Sequence, residues 1–281
     1  MTSRTSRTSG TGRTDGRVVT SADGTRIAVS VTGSGPALVL VDGAMCHRGL
    51  GPMPDLAREL ADRFTVWTYD RRGRGESGPD RVTTLPADTA VAREVEDLAA
   101  VVEAAGGRAS VLGASSGAAL ALEAARAGLP VDRLFLYELP AVVDGTREPS
   151  DPRAVDRTRA MLADGDRDGA VRSFLGEVGV PAPFLLLMRL MPAWRRMREI
   201  AHTLPHDYAL TMPHRRGLPF DPGFLAGVSQ PAVVYAGGKS PEYMRNAQRA
   251  LAAGLPRGEH VELPGQTHMI KAKVLAPAVA G

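Results

Sequence analysis

Residues 111–118 read Val111-Leu112-Gly113-Ala114-Ser115-Ser116-Gly117-Ala118: the end of an apolar strand, a turn of small residues, and the start of an Ala-rich helix. Gly-x-Ser-x-Gly placed between a strand and a helix has the spacing of a nucleophile elbow. The glycines leave room for a turn sharp enough to raise the Ser115 hydroxyl above a sheet. Ser116, next in the chain at a helix N-terminus, is expected to offer its backbone N–H to developing negative charge.

Strands and helices alternate on both sides of this turn. Upstream, Asp23-Gly24 signals a hairpin between residues 17–20 and 25–32. The continuous apolar run Ala37-Leu38-Val39-Leu40-Val41 predicts a buried strand, and residues 64–69 a second, with a helix near 55–61 between them. Residues 87–105 carry Val91, Val95, Leu98, Val101 and Val102 at helical spacing and stop at Gly106-Gly107. A strand at 110–113 enters the elbow and a helix at 118–127 leaves it. Strands at 134–137, 231–236 and 260–263 follow, the last two around a helix at 241–253. This alternation predicts an α/β fold with a mainly parallel sheet covered by helices on both faces. Residues 142–228 break the alternation with helical stretches at 152–163, 169–176 and 183–202 and read as an inserted lid. The expected organisation is a tail at 1–16, a core at 17–141 and 229–281, and a helical lid at 142–228.

A serine hydroxyl needs a base. Of His47, His202, His206, His214, His260 and His268, only His268 follows the last predicted strand, in the loop Gly265-Gln266-Thr267-His268-Met269. That is the chain order expected of the base. His206, in the lid, is expected to line a pocket.

Composition narrows the partners. Lys and Arg number 34 against 31 Asp and Glu. Residues 1–17 hold Arg4, Arg7, Arg13 and Arg17 against Asp15, which leaves a formally neutral body and no nucleic-acid surface. The single Cys46 excludes an intramolecular disulfide and fits a reducing compartment. The Arg/Ser/Thr-rich opening lacks the apolar stretch of a secretory signal and reads as a disordered tail. No run approaches the roughly 18 apolar residues of a membrane span. A cytoplasmic protein with a small-molecule substrate, no nucleic-acid or membrane partner, and a homodimer left open is the expectation.

Together the Asp23-Gly24 hairpin, the strand leading into Asp42-Gly43-Ala44, the segment Tyr69-Asp70-Arg71-Arg72-Gly73-Arg74-Gly75-Glu76-Ser77, the elbow and the His268 loop resemble the α/β-hydrolase superfamily, from Arg17 to the end of the chain. The resemblance implies an α/β-hydrolase fold and hydrolase-type chemistry on a small molecule, without metal or organic cofactor. It also implies an oxyanion hole formed by the N–H groups of Ala44 and Ser116.

Two departures stand out. Relatives carry an aspartate after the strand at 231–236, where this chain has Gly237-Gly238-Lys239-Ser240. Glu138, ending the preceding strand, is the best substitute; it could instead pair with an arginine of residues 71–74, and Asp207 is a second candidate acid. Asp42 replaces a histidine common in relatives; it either bonds local backbone and shapes the turn, or lines the pocket mouth with Cys46 and His47. Met188, Met191, Trp194 and Met197 recur at helical spacing and suggest an apolar lid face, with Trp194 at the pocket wall. The leading expectation is hydrolysis of an ester, lactone or thioester through an acyl-enzyme at Ser115. The alternatives are a non-hydrolytic cyclase, lyase or dehydratase on the same fold, and a ligand-binding pseudoenzyme.

Overall fold

Leu38 and Leu40 belong to one buried layer and Val39 and Val41 to the other, the alternation of a strand covered on both faces. Around that strand a computed structural model describes residues 16–78 and 85–281; the expected tail lies outside the described residues except for Gly16.

Eight strands form one sheet: β1 (Arg17–Thr20), β2 (Arg26–Thr32), β3 (Ala37–Val41), β4 (Thr65–Tyr69), β5 (Ala109–Ala114), β6 (Val131–Tyr137), β7 (Ala232–Gly237) and β8 (Gly258–Leu263). The order is β1-β2-β4-β3-β5-β6-β7-β8, with β1/β2 and β2/β4 antiparallel and every other pair parallel. This is the α/β-hydrolase fold that the alternation and the motifs predict.

Leu98, Val101 and Val102 of α2 (Ala87–Ala104) pack on one face of the sheet with α3 (Ser116–Arg126) and Ala247 and Leu251 of α10 (Glu242–Gly254). The other face takes Leu56 and Leu60 of α1 (Met53–Leu60) and Leu275 of α11 (Ala272–Ala280). Because β3 and β5 are central and parallel, their C-terminal ends bring residues 42–44 and 115 to one edge, where open α/β sheets bind ligands.

Between β6 and β7 the chain is helical: α4 (Ala154–Ala163), α5 (Arg167–Glu177), α6 (Ala182–Met188), α7 (Pro192–Ile200), α8 (Leu204–Thr211) and α9 (Pro222–Ala226). The single helix expected at 183–202 is two. Pro192 starts α7 and holds Met191 extended, at ψ 145°, because the proline ring excludes helical geometry from the residue before it. The methionine stripe is broken accordingly. Trp194 and Met197 are buried and Met188 partly so, while Met191 is 51% exposed. α8 escapes sequence reading for a different reason: seven of its eight residues are buried, so it shows no apolar face against a polar one. No helix among the described residues is long and apolar enough to cross a membrane.

Candidate active site

Ser115 sits between β5 and α3 with φ 55° and ψ −123°, a left-handed conformation that costs a non-glycine residue of order 1–3 kcal/mol. Close packing holds it there. A Cβ on Gly113 would stand 2.3 Å from the Gly117 carbonyl oxygen, so the chain can double back only with glycine at that position. The Ser115 N–H donates to the Tyr137 carbonyl at 2.9 Å, tying the elbow to the end of β6.

Glu138 immediately follows β6, fully buried and also left-handed, at φ 46°. Its Oε1 accepts the Gly237 N–H at 2.7 Å and its Oε2 lies 2.8 Å from His268 Nδ1. The last residue of β7 therefore contributes a backbone donor to a carboxylate at the end of the neighbouring strand. A second bond, from the Tyr137 hydroxyl to the Thr267 carbonyl at 2.6 Å, anchors the histidine loop. The His268 side chain is 40% exposed. No hydrogen bond joins Ser115 to His268 among the described residues.

The alternative pairings for these groups are not observed. Glu138 meets none of the nearby arginines: Arg71 is held by Glu94 and Asp207, Arg72 by Asp97 and Asp23, and Arg74 by Asp207. Asp207 is accordingly engaged away from His268, with those two arginines and the Ser116 hydroxyl. His206 is buried with Nδ1 3.3 Å from Glu94 Oε1. Burial pushes the Glu94 carboxyl up, but Arg71 and then His206 outweigh it and hold it well below the usual carboxylate range. Trp194 is buried among the helices following β6, and its indole N–H donates to Asp168 at 2.7 Å. His47 Nδ1 accepts the Gly49 N–H at 3.0 Å; burial lowers the pKa of this imidazole. Cys46 is a free thiol whose pKa burial and then Asp42 push up, away from a reactive thiolate.

The sequence offered Glu138 as a partner for the arginines of residues 71–74 and gave Glu94 no role. The signal was present: Glu94 and Asp97 lie on the buried stripe of α2 with Ala90, Leu98 and Val101, and a carboxylate on a buried stripe requires a cationic partner.

Asp42 is 3% exposed, and its Oδ1 has no hydrogen-bond partner among the described residues, so the expected bond to local backbone is not made. Burial raises its pKa to about 8, against the opposing pull of Arg74 and Arg71. The folded protein thus keeps a proton that the unfolded chain releases near pH 4. Between those values the native state binds more protons, and stability falls as pH rises, by up to about 1.4 kcal/mol per pH unit. Asp42→Asn is expected to flatten this slope in urea melts from pH 4 to 8. Equal slopes in the two proteins would contradict a buried acid at this position.

Among the described residues no group of three or more His, Cys, Asp or Glu is arranged to hold a metal ion. The site brings together the Ser115 elbow and an imidazole paired with a buried carboxylate.

Comparison with known proteins bears on this arrangement. Residues 38–272 match a family model described as "Alpha/beta hydrolase family". An alpha/beta hydrolase from Sphaerobacter thermophilus DSM 20745 is 43% identical, with TM-score 0.84 over 94% of this chain and 98% of that one. A hydrolase from Pseudomonas aeruginosa PA01 is 24% identical (TM-score 0.69; 94% and 95% covered), and a thermophilic esterase from Thermogutta terrifontis 23% (TM-score 0.66; 95% of each). These last two likenesses are of fold.

Proposed function

Since the chain belongs to the alpha/beta hydrolase family, we propose that it is a serine hydrolase acting on an ester, lactone or thioester of a small hydrophobic molecule. The observation that carries this reading is the buried Glu138 carboxylate on His268 Nδ1, beside a serine in the strained elbow.

In this reading Glu138 holds the proton of His268 on Nδ1 and leaves Nε2 free to take the Ser115 proton. The Ser115 oxygen attacks the substrate carbonyl carbon, and the displaced electron pair moves to the carbonyl oxygen. There it is stabilised by the Ala44 and Ser116 N–H groups. When the intermediate collapses, the alkoxide or thiolate leaves with the proton from His268. Water, deprotonated in turn by His268, attacks the acyl group; the acid departs and Ser115 regains its proton.

Residues 142–228 act as a cap in this scheme. Its apolar interior of Trp194, Met197, Ile200 and Leu204 packs with Met45 and against Ala44, which supports a hydrophobic substrate. The esterase activity named for the structural neighbour is consistent with the same chemistry.

A fluorophosphonate is expected to add covalently to the protein, with peptide mapping locating the phosphonyl group on Ser115 and no adduct forming in Ser115→Ala. Folded protein that stays unlabelled would end the serine-hydrolase reading. It would leave the cyclase, lyase, dehydratase and ligand-binding alternatives, for which the buried Asp42 Oδ1, without a hydrogen-bond partner among the described residues, is the motivating observation.

A further inference from the structure

Behind Ser115 lies a buried cluster of charges that the reaction does not use. Arg71 and Arg74 are each 1% exposed, Glu94 1%, Asp207 2% and Ser116 1%. Burying two guanidinium groups is costly unless each hydrogen atom finds an acceptor. The acceptors they find include backbone atoms of the proposed oxyanion hole. Arg74 Nη1 donates to the Gly43 carbonyl at 2.7 Å and to that of Cys46 at 3.2 Å. Arg71 Nη1 donates to the Asp42 carbonyl at 3.3 Å and to Ser116 Oγ at 3.0 Å.

The Gly43 carbonyl and the Ala44 N–H are opposite ends of one planar trans peptide. A guanidinium fixed on the carbonyl therefore sets the direction of that N–H. It also polarises the peptide, which strengthens the donor at the far end. The residue of the second donor is held through its own side chain. Ser116 Oγ donates to Asp207 Oδ1 at 2.7 Å, and the two oxygens of Asp207 also accept from Arg71 and Arg74 at 2.9 Å each. One carboxylate, on α8, thus ties together the supports of both peptides. A further bond, from Arg74 Nε to Thr203 at 3.1 Å, fixes the guanidinium from the same helical segment.

We propose that Arg74 and Asp207 are positioning residues of the oxyanion hole, holding the Gly43–Ala44 peptide and Ser116 in the orientation that stabilises the tetrahedral intermediate. The inference rests on the serine-hydrolase reading. It adds to that reading a contribution from the helical segment to the reaction through a carboxylate that never meets the substrate.

Two variants test it. Arg74→Lys keeps the charge, but a single ammonium cannot reach Gly43, Thr203 and Asp207 together. Ser116→Ala keeps the backbone N–H and removes its tether. With an activated aryl ester, kcat per folded molecule is expected to fall about 30-fold in Arg74→Lys and about 10-fold in Ser116→Ala, and KM to stay within about twofold, less than the 10²–10³-fold loss of an entire donor. Affinity for an aryl trifluoromethyl ketone, whose carbonyl carbon takes the serine oxygen to give a hemiketal oxyanion while the serine proton passes to His268, is expected to fall in step with kcat/KM.

A kcat within twofold of wild type in both variants, even with a lowered Tm, would show the cluster to be structural only and overturn the proposal. So would an unchanged affinity for the ketone. If Arg74→Lys does not fold, Ser116→Ala decides alone. Failure of the underlying reading is separately visible, because wild-type protein would then be inert to both the ketone and the fluorophosphonate.

Discussion

Glu138→Gln is expected to lower kcat for an activated aryl ester by roughly 10⁴-fold while KM stays within about threefold. The size follows from which atoms Glu138 touches. The substituted amide oxygen can still accept the Gly237 N–H, as Oε1 does now at 2.7 Å. The amide nitrogen then faces His268 Nδ1, and being a donor it requires Nδ1 to accept. The proton moves to Nε2, and the ring can no longer take one from Ser115. Geometry survives and the tautomer does not, so the loss falls on kcat. The elbow and oxyanion donors remain, which leaves a measurable residual rate. Unchanged turnover would remove Glu138 from the mechanism.

The second large effect is on stability. Gly117→Ala is expected to cost about 3 kcal/mol of unfolding free energy, the upper end for overpacking because backbone must move. A Cβ on Gly117 would stand 2.3 Å from the Val41 carbonyl oxygen and 2.7 Å from that of Asp42. Both are backbone atoms, one at the end of central strand β3, and neither can turn aside as a side-chain tip would. α3 must back away from β3 and carry Ser115 with it, so turnover falls along with stability. Gly176→Ala is the control: nothing lies within 4 Å of its added carbon and it sits inside α5, where alanine is favoured over glycine by about 1 kcal/mol. Urea denaturation of the two variants should shift the midpoint in opposite directions. A Gly117→Ala midpoint close to wild type would mean that β3 and α3 pack less tightly than these distances require.

Much of this architecture was legible in the sequence because it follows from local patterns. Leu38 to Val41 announces a strand buried on both faces, and the small residues at 113–117 announce a turn that larger ones could not enter. Glu138 was legible only as a carboxylate at a strand end; what makes it the partner of His268 is the bare Gly237 N–H on the neighbouring strand. The charge cluster was not legible. Arg71 and Arg74 find Asp207 across 136 and 133 residues of sequence, and nothing local to α8 marks it as the source of that carboxylate. Nor could sequence give the state of Asp42, because its raised pKa depends on how little solvent and how few donors the fold leaves it.

The position of Asp207 also bears on how a substrate reaches Ser115. If α8 swung outward as part of a hinged door, Arg71 would lose Asp207 while keeping Glu94, the Asp42 carbonyl and Ser116 Oγ, and Arg74 would lose both oxygens of Asp207. A guanidinium left buried without its carboxylate costs about 3–5 kcal/mol. At equilibrium that restricts an outward-swung α8 to roughly one molecule in 10² to 10⁴. Among the described residues the His268 loop makes no bond to the charge cluster, and Met269 beside it is 73% exposed. Substrate is therefore expected to pass at lower cost on the side of the exposed His268 loop than by an outward swing of α8.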